Sequence, residues 1–432
     1  MKLFSNRRLG SILAPPEAAS TSSAGLHLRR NIVIFLIDAV GWPLGQSFLS
    51  PQTILPLFIA LLSGSPFVIG LVVTVQNVCQ LVPQLFIANR LEHMPIKRIY
   101  VVVIGVIMER LPYIVLAVVV LLVASHSTVL VIFFGLWIFA NVGTGLNMPA
   151  FYGMYAKAIP TEIRGRLGGV GNSGGTLIAV LGAYATTIIL QHLPGMIGFS
   201  HIFIIGFVIL LVSVLPLGWT DEPPSEVSRT RKANLDYLRE LPRLLRENRQ
   251  FARYVAFQAA IQLPISAVPF ITAYAVLKLH VTTSTIGLFT GILMGATAIG
   301  SFLLGLLADR RGYRRVFAIT SVFAILGYGI LAFLPSLSLV YLSYFLAGLL
   351  LSTQFMASNM AMEFCTPGKA ITYTAIVFTA SAPIKVVGPL VLGFLAARVG
   401  MVPLFLLVVL ASAVALYLIT FRVADPRYAR VR

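Results

Sequence analysis

Charge is scarce in this 432-residue chain. Only 11% of its residues are charged, where a soluble protein carries about 25%. Two or three water-soluble domains are excluded, because too few charges exist to coat their surfaces. Acidic residues are scarcer still, 14 against 32 basic ones, for a formal net charge of +18. A basic excess can signal nucleic acid. Nucleic-acid binders carry it on a polar surface, however, and this chain has almost none. Cysteine is nearly absent: Cys79 and Cys365 lie far apart, in or beside apolar runs. No disulfide framework follows, and both read as inert buried thiols. The six histidines (His27, His93, His126, His192, His201 and His280) lie in loops or near the ends of apolar runs. None is spaced from another His or a Glu as a helical ligand pair, so no metal site and no catalytic residue is assigned. No Gly-x-x-x-x-Gly-Lys-Ser/Thr loop occurs, so no nucleotide site is indicated and no cofactor is implied.

What is present is apolar residue, 58% of the chain. A bilayer core needs about 20 mostly apolar residues per helix. Twelve such stretches can be placed: 31–53, 65–88, 98–124, 128–156, 167–191, 198–219, 251–278, 285–308, 315–334, 337–362, 371–397 and 400–422. Pro51, Pro56, Pro194, Pro335 and Pro367 stand at joints, where a missing donor and a fixed φ end helices. The runs are long and lack a period of two, so strands are not expected. The fold class is an all-α membrane protein of twelve transmembrane helices.

One long polar stretch, 221–250, separates six spans from six. The expected organisation is a tail at 1–30, bundles at 31–220 and 251–423, a linker at 221–250 and a tail at 424–432. The longest apolar run of the first tail, Ile12-Leu13-Ala14, is too short for a signal-peptide core. In the linker, Leu235, Leu238, Leu241 and Leu245 recur at helical spacing. They fit a short amphipathic helix on the membrane surface or, because Pro242 interrupts them, a flexible connection.

Orientation follows Lys and Arg in the loops. With the N-terminus in the cytoplasm, 28 of the 32 basic residues fall on that side. Lys278 and Arg398 fall on the other, and Arg110 and Lys385 lie inside spans. Miscounting the spans would destroy that asymmetry. The reading is a multi-pass protein of the cell membrane with both termini cytoplasmic.

The halves repeat. Ile69-Gly70-Leu71 opens the second span and Ile286-Gly287-Leu288 the eighth, and each span leads to a basic loop. The second loop reads Gly305-Leu306-Leu307-Ala308-Asp309-Arg310-Arg311-Gly312-Tyr313-Arg314-Arg315. It resembles the Gly-x-Leu-Ala-Asp-Arg-x-Gly-Arg-Arg loop of the major facilitator superfamily, which follows spans two and eight. The first-half counterpart, from Ala88 to Arg98, is degenerate, with Asn89 where the family has Asp. Pro160-Thr161-Glu162-Ile163-Arg164-Gly165-Arg166 is also similar to the family's loop after span four. The resemblance covers residues about 30–423, is specific for the superfamily, and implies two pseudo-symmetric six-helix bundles. In the family these loops hold one access state shut and release the other. That implies gating roles for Gly305, Asp309, Arg310, Gly312, Arg314, Arg90 and Arg164. Gly312 permits a tight turn, and Asp309 can accept from a helix N-terminus or pair with Arg.

Charges inside a bilayer are costly and therefore functional candidates. Four stand out: Asp38, Glu109, Arg110 and Lys385. On an α-helix, adjacent residues point about 100° apart. Glu109 and Arg110 are thus expected to be poor partners, with Arg110 free to reach Asp38. Lys385 could meet an anionic group or an interhelix partner. Because the resemblance places spans 1, 4, 7 and 10 at the cavity, Asp38 is the favoured proton or cation site. Trp42, Gln46, Trp137, Asn141, Tyr152, Gln258, Gln262 and Gln354 are the candidate solute contacts, although polar side chains also join helices in membranes.

The function expected is secondary active transport of a small organic solute by alternating access, proton-coupled, in a monomer embedded in the lipid bilayer. The alternatives are a drug/proton efflux antiporter and a non-transporting sensor on the same fold. The Gly-Pro motif of family antiporters is missing from span five, while Gly388-Pro389 occurs in span eleven. An enzyme is not expected.

Overall fold

The computed structural model describes residues 23–92, 94–193, 195–224, 245–334, 336–354, 356–364 and 370–424. Both tail ends, Cys365 and most of the linker, with Leu235, Leu238 and Leu241, lie outside the described residues. Twelve helical stretches are long and apolar enough to cross a membrane, and the described residues contain no strand. In lipid, backbone N–H and C=O groups must be paired within the protein, and a helix pairs them within its own segment.

The first half comprises α1 (Ser23–Phe48), α2 (Ile54–Ser63), α3 (Pro66–Glu92), α4 (Arg98–Leu122), α5 (His126–Ala158), α6 (Thr161–His192) and α7 (Met196–Val214). The second comprises α8 (Arg249–Ser266), α9 (Val268–Leu279), α10 (Thr285–Arg311), α11 (Tyr313–Phe333), α12 (Leu337–Leu351), α13 (Met356–Glu363), α14 (Ala370–Arg398) and α15 (Met401–Tyr417). An even number of crossings puts both chain ends on one face, here called the terminal face; the other is the distal face.

Several expectations need correction. The first span begins at Ser23, eight residues inside the expected tail, and stops at Phe48. Span seven is broken into α8 and α9 just after Pro264, and the Tyr328 hydroxyl donates to the Pro264 carbonyl at 2.5 Å. Span ten is broken into α12 and α13, where the Ser352 and Thr353 hydroxyls fold back onto the Leu349 and Leu350 carbonyls at 2.7 and 2.8 Å. The basic loop of the second half is hardly a loop. Gly305 to Arg311 complete α10, and Tyr313 starts α11. Gly312 alone makes the turn, at φ 85, a backbone region open to glycine at no steric cost.

The unexpected element is α2. It is too short to span, yet Ile54 to Ala60 are all buried. Phe58 sits among Phe133, Phe199 and Phe203 of the first half, with ring centroids 5.9, 5.1 and 5.4 Å away. Its other side packs on α9 and α10 of the second half. The Thr53 and Thr290 hydroxyls share a hydrogen bond of 2.6 Å across the halves, and Thr272 donates to the Gln52 carbonyl at 3.2 Å. Gly70 and Gly393 bring α3 and α14 into backbone contact, since a Cβ on Gly393 would lie 3.0 Å from the Pro66 carbonyl oxygen. The halves are therefore sealed together at the distal face.

Candidate functional site

The π turn Gly105–Arg110 in α4 decides the site. A π turn is wider than an α turn and changes the direction of neighbouring side chains. Glu109 and Arg110 consequently form an ion pair, which corrects the expectation that they are poor partners. Asn147 of α5 donates to the second Glu109 oxygen at 2.9 Å. Arg110 also donates to the Gly105 and Leu210 carbonyls at 3.1 and 3.4 Å and lies 5.3 Å from the centre of the Trp42 ring.

Asp38 of α1 completes the cluster. It is buried, within the electrostatic reach of Arg110 and Glu109 and beside Ser213 of α7. The structure thus brings together three of the four predicted charges. Glu109 is bound by a guanidinium and an amide, whereas the Ser213 hydroxyl beside Asp38 donates to the Leu210 carbonyl at 3.0 Å. Asn147 and Ser213 were missed by sequence reasoning; Asn147 is a polar residue on span four, which the resemblance places at the cavity, whereas Ser213 lies on span six and carried no such signal.

The solute candidates separate by exposure. Trp42 and Tyr152 are exposed, while Gln46 and Gln354 are half-buried. Trp137 is instead a structural residue: its Nε1 donates to the Val72 carbonyl at 3.0 Å and its ring stacks on Phe133. Asn141 accepts from Gln80 and donates to the Trp137 carbonyl, at 2.9 and 2.8 Å. Gln258 donates to the Tyr254 hydroxyl at 2.7 Å, which donates in turn to the Ala357 carbonyl. Trp137 and Asn141 are thus bonded to α3, and Gln258 to a residue one turn earlier on its own helix. Gln262 is different, because its buried amide oxygen has no partner.

Lys385 stands apart in α14, its Nζ 5.5 Å from the centre of the Phe378 ring. No described carboxylate lies within ion-pair distance of it.

The predicted gating residues lie on the terminal face. Arg90, Asp309 and Arg310 are exposed. Arg164 and Arg314 each cap the end of a neighbouring helix. Arg164 donates to the Ala156 and Ile159 carbonyls at 2.7 and 3.0 Å, and Arg314 to the Ile419 carbonyl at 3.1 Å and to that of Thr420. An unanticipated acid organises the first half of this face. Glu222 accepts from the Lys97 and Arg98 backbone N–H groups at 2.6 and 2.9 Å and pairs with Lys157 at 3.0 Å. An acidic pair directly after the sixth span, Asp221-Glu222, facing a basic surface, was the available signal.

A groove of about 570 Å³ between α1 and α7 is lined by Val33, Ile37, Val40, Val208, Val212 and other apolar residues, with Ser213 as its one polar group. It holds none of the solute candidates and is open to the lipid side.

The Major Facilitator Superfamily sequence model matches residues 40–276 and again 254–432. The putative niacin/nicotinamide transporter NiaP of Bacillus subtilis is 34% identical over 132 residues, 30% of this chain and 33% of that protein. The match therefore spans about a third of that relative. The structure resembles that of a mutant of the nucleoside transporter NupG, with a TM-score of 0.67 and 13% identity, covering 91% of this chain and 98% of that one. It also resembles an inward-facing, occupied bacterial homolog of the human lysosomal transporter Spinster, with a TM-score of 0.64 and 14% identity, covering 91% and 96%. At such identities the likeness establishes the fold.

Proposed function

The chain belongs to the Major Facilitator Superfamily, a family of solute transporters rather than enzymes, and from that premise we propose that it couples a small organic solute to protons. The halves alternate between a state sealed at the distal face and one sealed at the terminal face. Asp38 is the proton carrier. One observation carries this reading: a second buried carboxylate, Asp38, lies within electrostatic reach of the Glu109–Arg110 pair, which has one guanidinium for the two acids. The cluster is therefore one positive charge short of neutral. A buried uncompensated charge is costly, and a proton supplies the missing one. Because Glu109 is held by Arg110 and Asn147, the proton goes to Asp38.

Loop charge places the terminal face in the cytoplasm, so Asp309, Arg310, Arg314, Arg90 and Arg164 become the gate that forms when that face closes. Trp42, Gln46, Tyr152, Gln262 and Gln354 remain the solute contacts, and the working unit is a monomer.

The test is uptake into proteoliposomes under an imposed pH gradient. The panel should include nicotinate, nicotinamide, nucleosides and pentoses, after the relatives above. At least one solute is expected to accumulate, and Asp38→Asn to abolish accumulation while sparing solute exchange. Unchanged accumulation in Asp38→Asn would remove Asp38 from the mechanism, and no flux of any solute would favour the sensor.

A further inference from the structure

The side chains of α14 divide cleanly around its axis. Pro383, Val387, Val391 and Phe394 form one exposed stripe, as expected of a lipid-facing surface. At about 100° per residue, Lys385 and Phe378 fall on the opposite side. Phe378 is nevertheless 43% exposed, so that side is not closed by packing.

Lys385 cannot reach a headgroup. It lies about 20 Å from either end of α14 at 1.5 Å per residue, well beyond the reach of a snorkelling side chain. Its position is fixed from behind. Pro389 has no N–H to give the Lys385 carbonyl four residues earlier, and Asn77 of α3 supplies the missing donor at 2.9 Å. The Phe378 ring then holds the ammonium by a cation–π contact. A ring weakens the charge only in part, and no acidic group among the described residues offsets it. A second unsatisfied group lies nearby. A Cβ on Gly388 would be 2.9 Å from Leu263, so α8 touches α14 one residue beyond Gln262, whose amide oxygen has no partner.

We infer that Lys385, held over Phe378, is the binding site for the anionic group of the solute, and that the substrates are small organic carboxylates. Gln262 accepts from a donor on the same molecule. This deepens the transporter reading above and rests on it. It also balances charge within the bilayer: the proton neutralises the Asp38 cluster and the carboxylate neutralises Lys385.

The test is equilibrium binding to the purified full-length protein in detergent, read as thermal stabilisation at fixed pH. Matched pairs are used as probes: benzoate and benzamide, phenylacetate and phenylacetamide, lactate and lactamide. At least one carboxylate is expected to stabilise the protein saturably, about tenfold or more tighter than its amide. Lys385→Gln should erase that preference and Lys385→Arg keep it. Phe378→Leu should weaken carboxylate binding while leaving the preference for the acid. Amides binding as well as acids, no carboxylate binding, or an intact preference in Lys385→Gln would each overturn the inference. The wild-type comparison alone decides the matter if a variant fails to fold. No gradient is involved, so the outcome is separable from that of the coupling test. Carboxylate preference with gradient-insensitive flux overturns coupling and upholds this site. Proton-driven uptake confined to neutral solutes does the reverse.

Discussion

The two halves bury polar groups in opposite ways. In the first half the interior is tied by charge: Glu109 to Arg110 and Asn147, with Asp38 alongside. In the second half the described interior bonds are neutral, and hydroxyls carry them. Tyr254 donates to the Ala357 carbonyl, Gln258 to Tyr254, Tyr328 to the Pro264 carbonyl, and Thr272 shares a bond with Tyr344. A neutral network has one protonation state at ordinary pH and can only hold helices together. A charged network with an odd carboxylate has two states, differing by a proton. Lys385, far from both ends of its helix, stands outside the second half's hydrogen-bonded core. On the reading proposed above, the first half handles the proton and the second binds the anionic group of the solute.

The comparison breaks most visibly at Arg110. Removing one partner of a buried pair leaves the other charge stranded, which costs about 3–5 kcal/mol. Arg110→Gln should therefore lower the unfolding temperature sharply in a detergent thermal melt. Changing Glu109→Gln at the same time should restore most of the loss. If the single variant melts like the wild type, the first half does not depend on its charges. A smaller effect is expected at Glu222, where the charge lies at the terminal face. Hydrogen bonds to a charged group are worth about 1.5–3 kcal/mol. Glu222→Gln keeps the shape and weakens the hold on the start of α4, so the same melt should show an intermediate loss. The second half should be the most tolerant. Gln258→Leu removes a neutral donor while Tyr254 keeps its bond to Ala357, for a loss of about 1 kcal/mol. A loss as large as that at Arg110 would erase the distinction between the halves.

How much of this was legible follows from what each residue needs in order to be read. The spans could be counted because a run of apolar residues long enough to cross a bilayer has no other use. Helix α2 could not, because ten mostly apolar residues between Thr53 and Gly64 read as a connection, and only the facing Phe133, Phe199 and Phe203 make it a seal. Asp38, Glu109, Arg110 and Lys385 were visible as charges in apolar runs. The pairing of Glu109 with Arg110 was not, since it depends on a π turn and the sequence was read with an α-helical period. Trp137, Asn141 and Gln258 were misread for a different reason. A polar group facing a cavity and one bonded within the protein look alike until the partner is known, here Val72, Gln80 and Tyr254.

The smallest predicted effect lies where the halves meet. Thr53 and Thr290 share a hydroxyl bond across the distal seal, and Thr290 is also bonded to the Ile286 carbonyl of its own helix. Thr290→Val keeps the volume nearly constant and leaves α10 intact, so its main effect is on the contact between halves. A neutral hydrogen bond is worth about 1 kcal/mol, which is about fivefold in the balance between sealed and open states. Spin labels on the distal loops 64–65 and 280–284 should therefore report a larger share of long distances. Thr53→Val should do the same, and the double variant should add little, because each removes the same bond. Full additivity would mean that the two hydroxyls act separately and that α2 is held by its apolar packing alone.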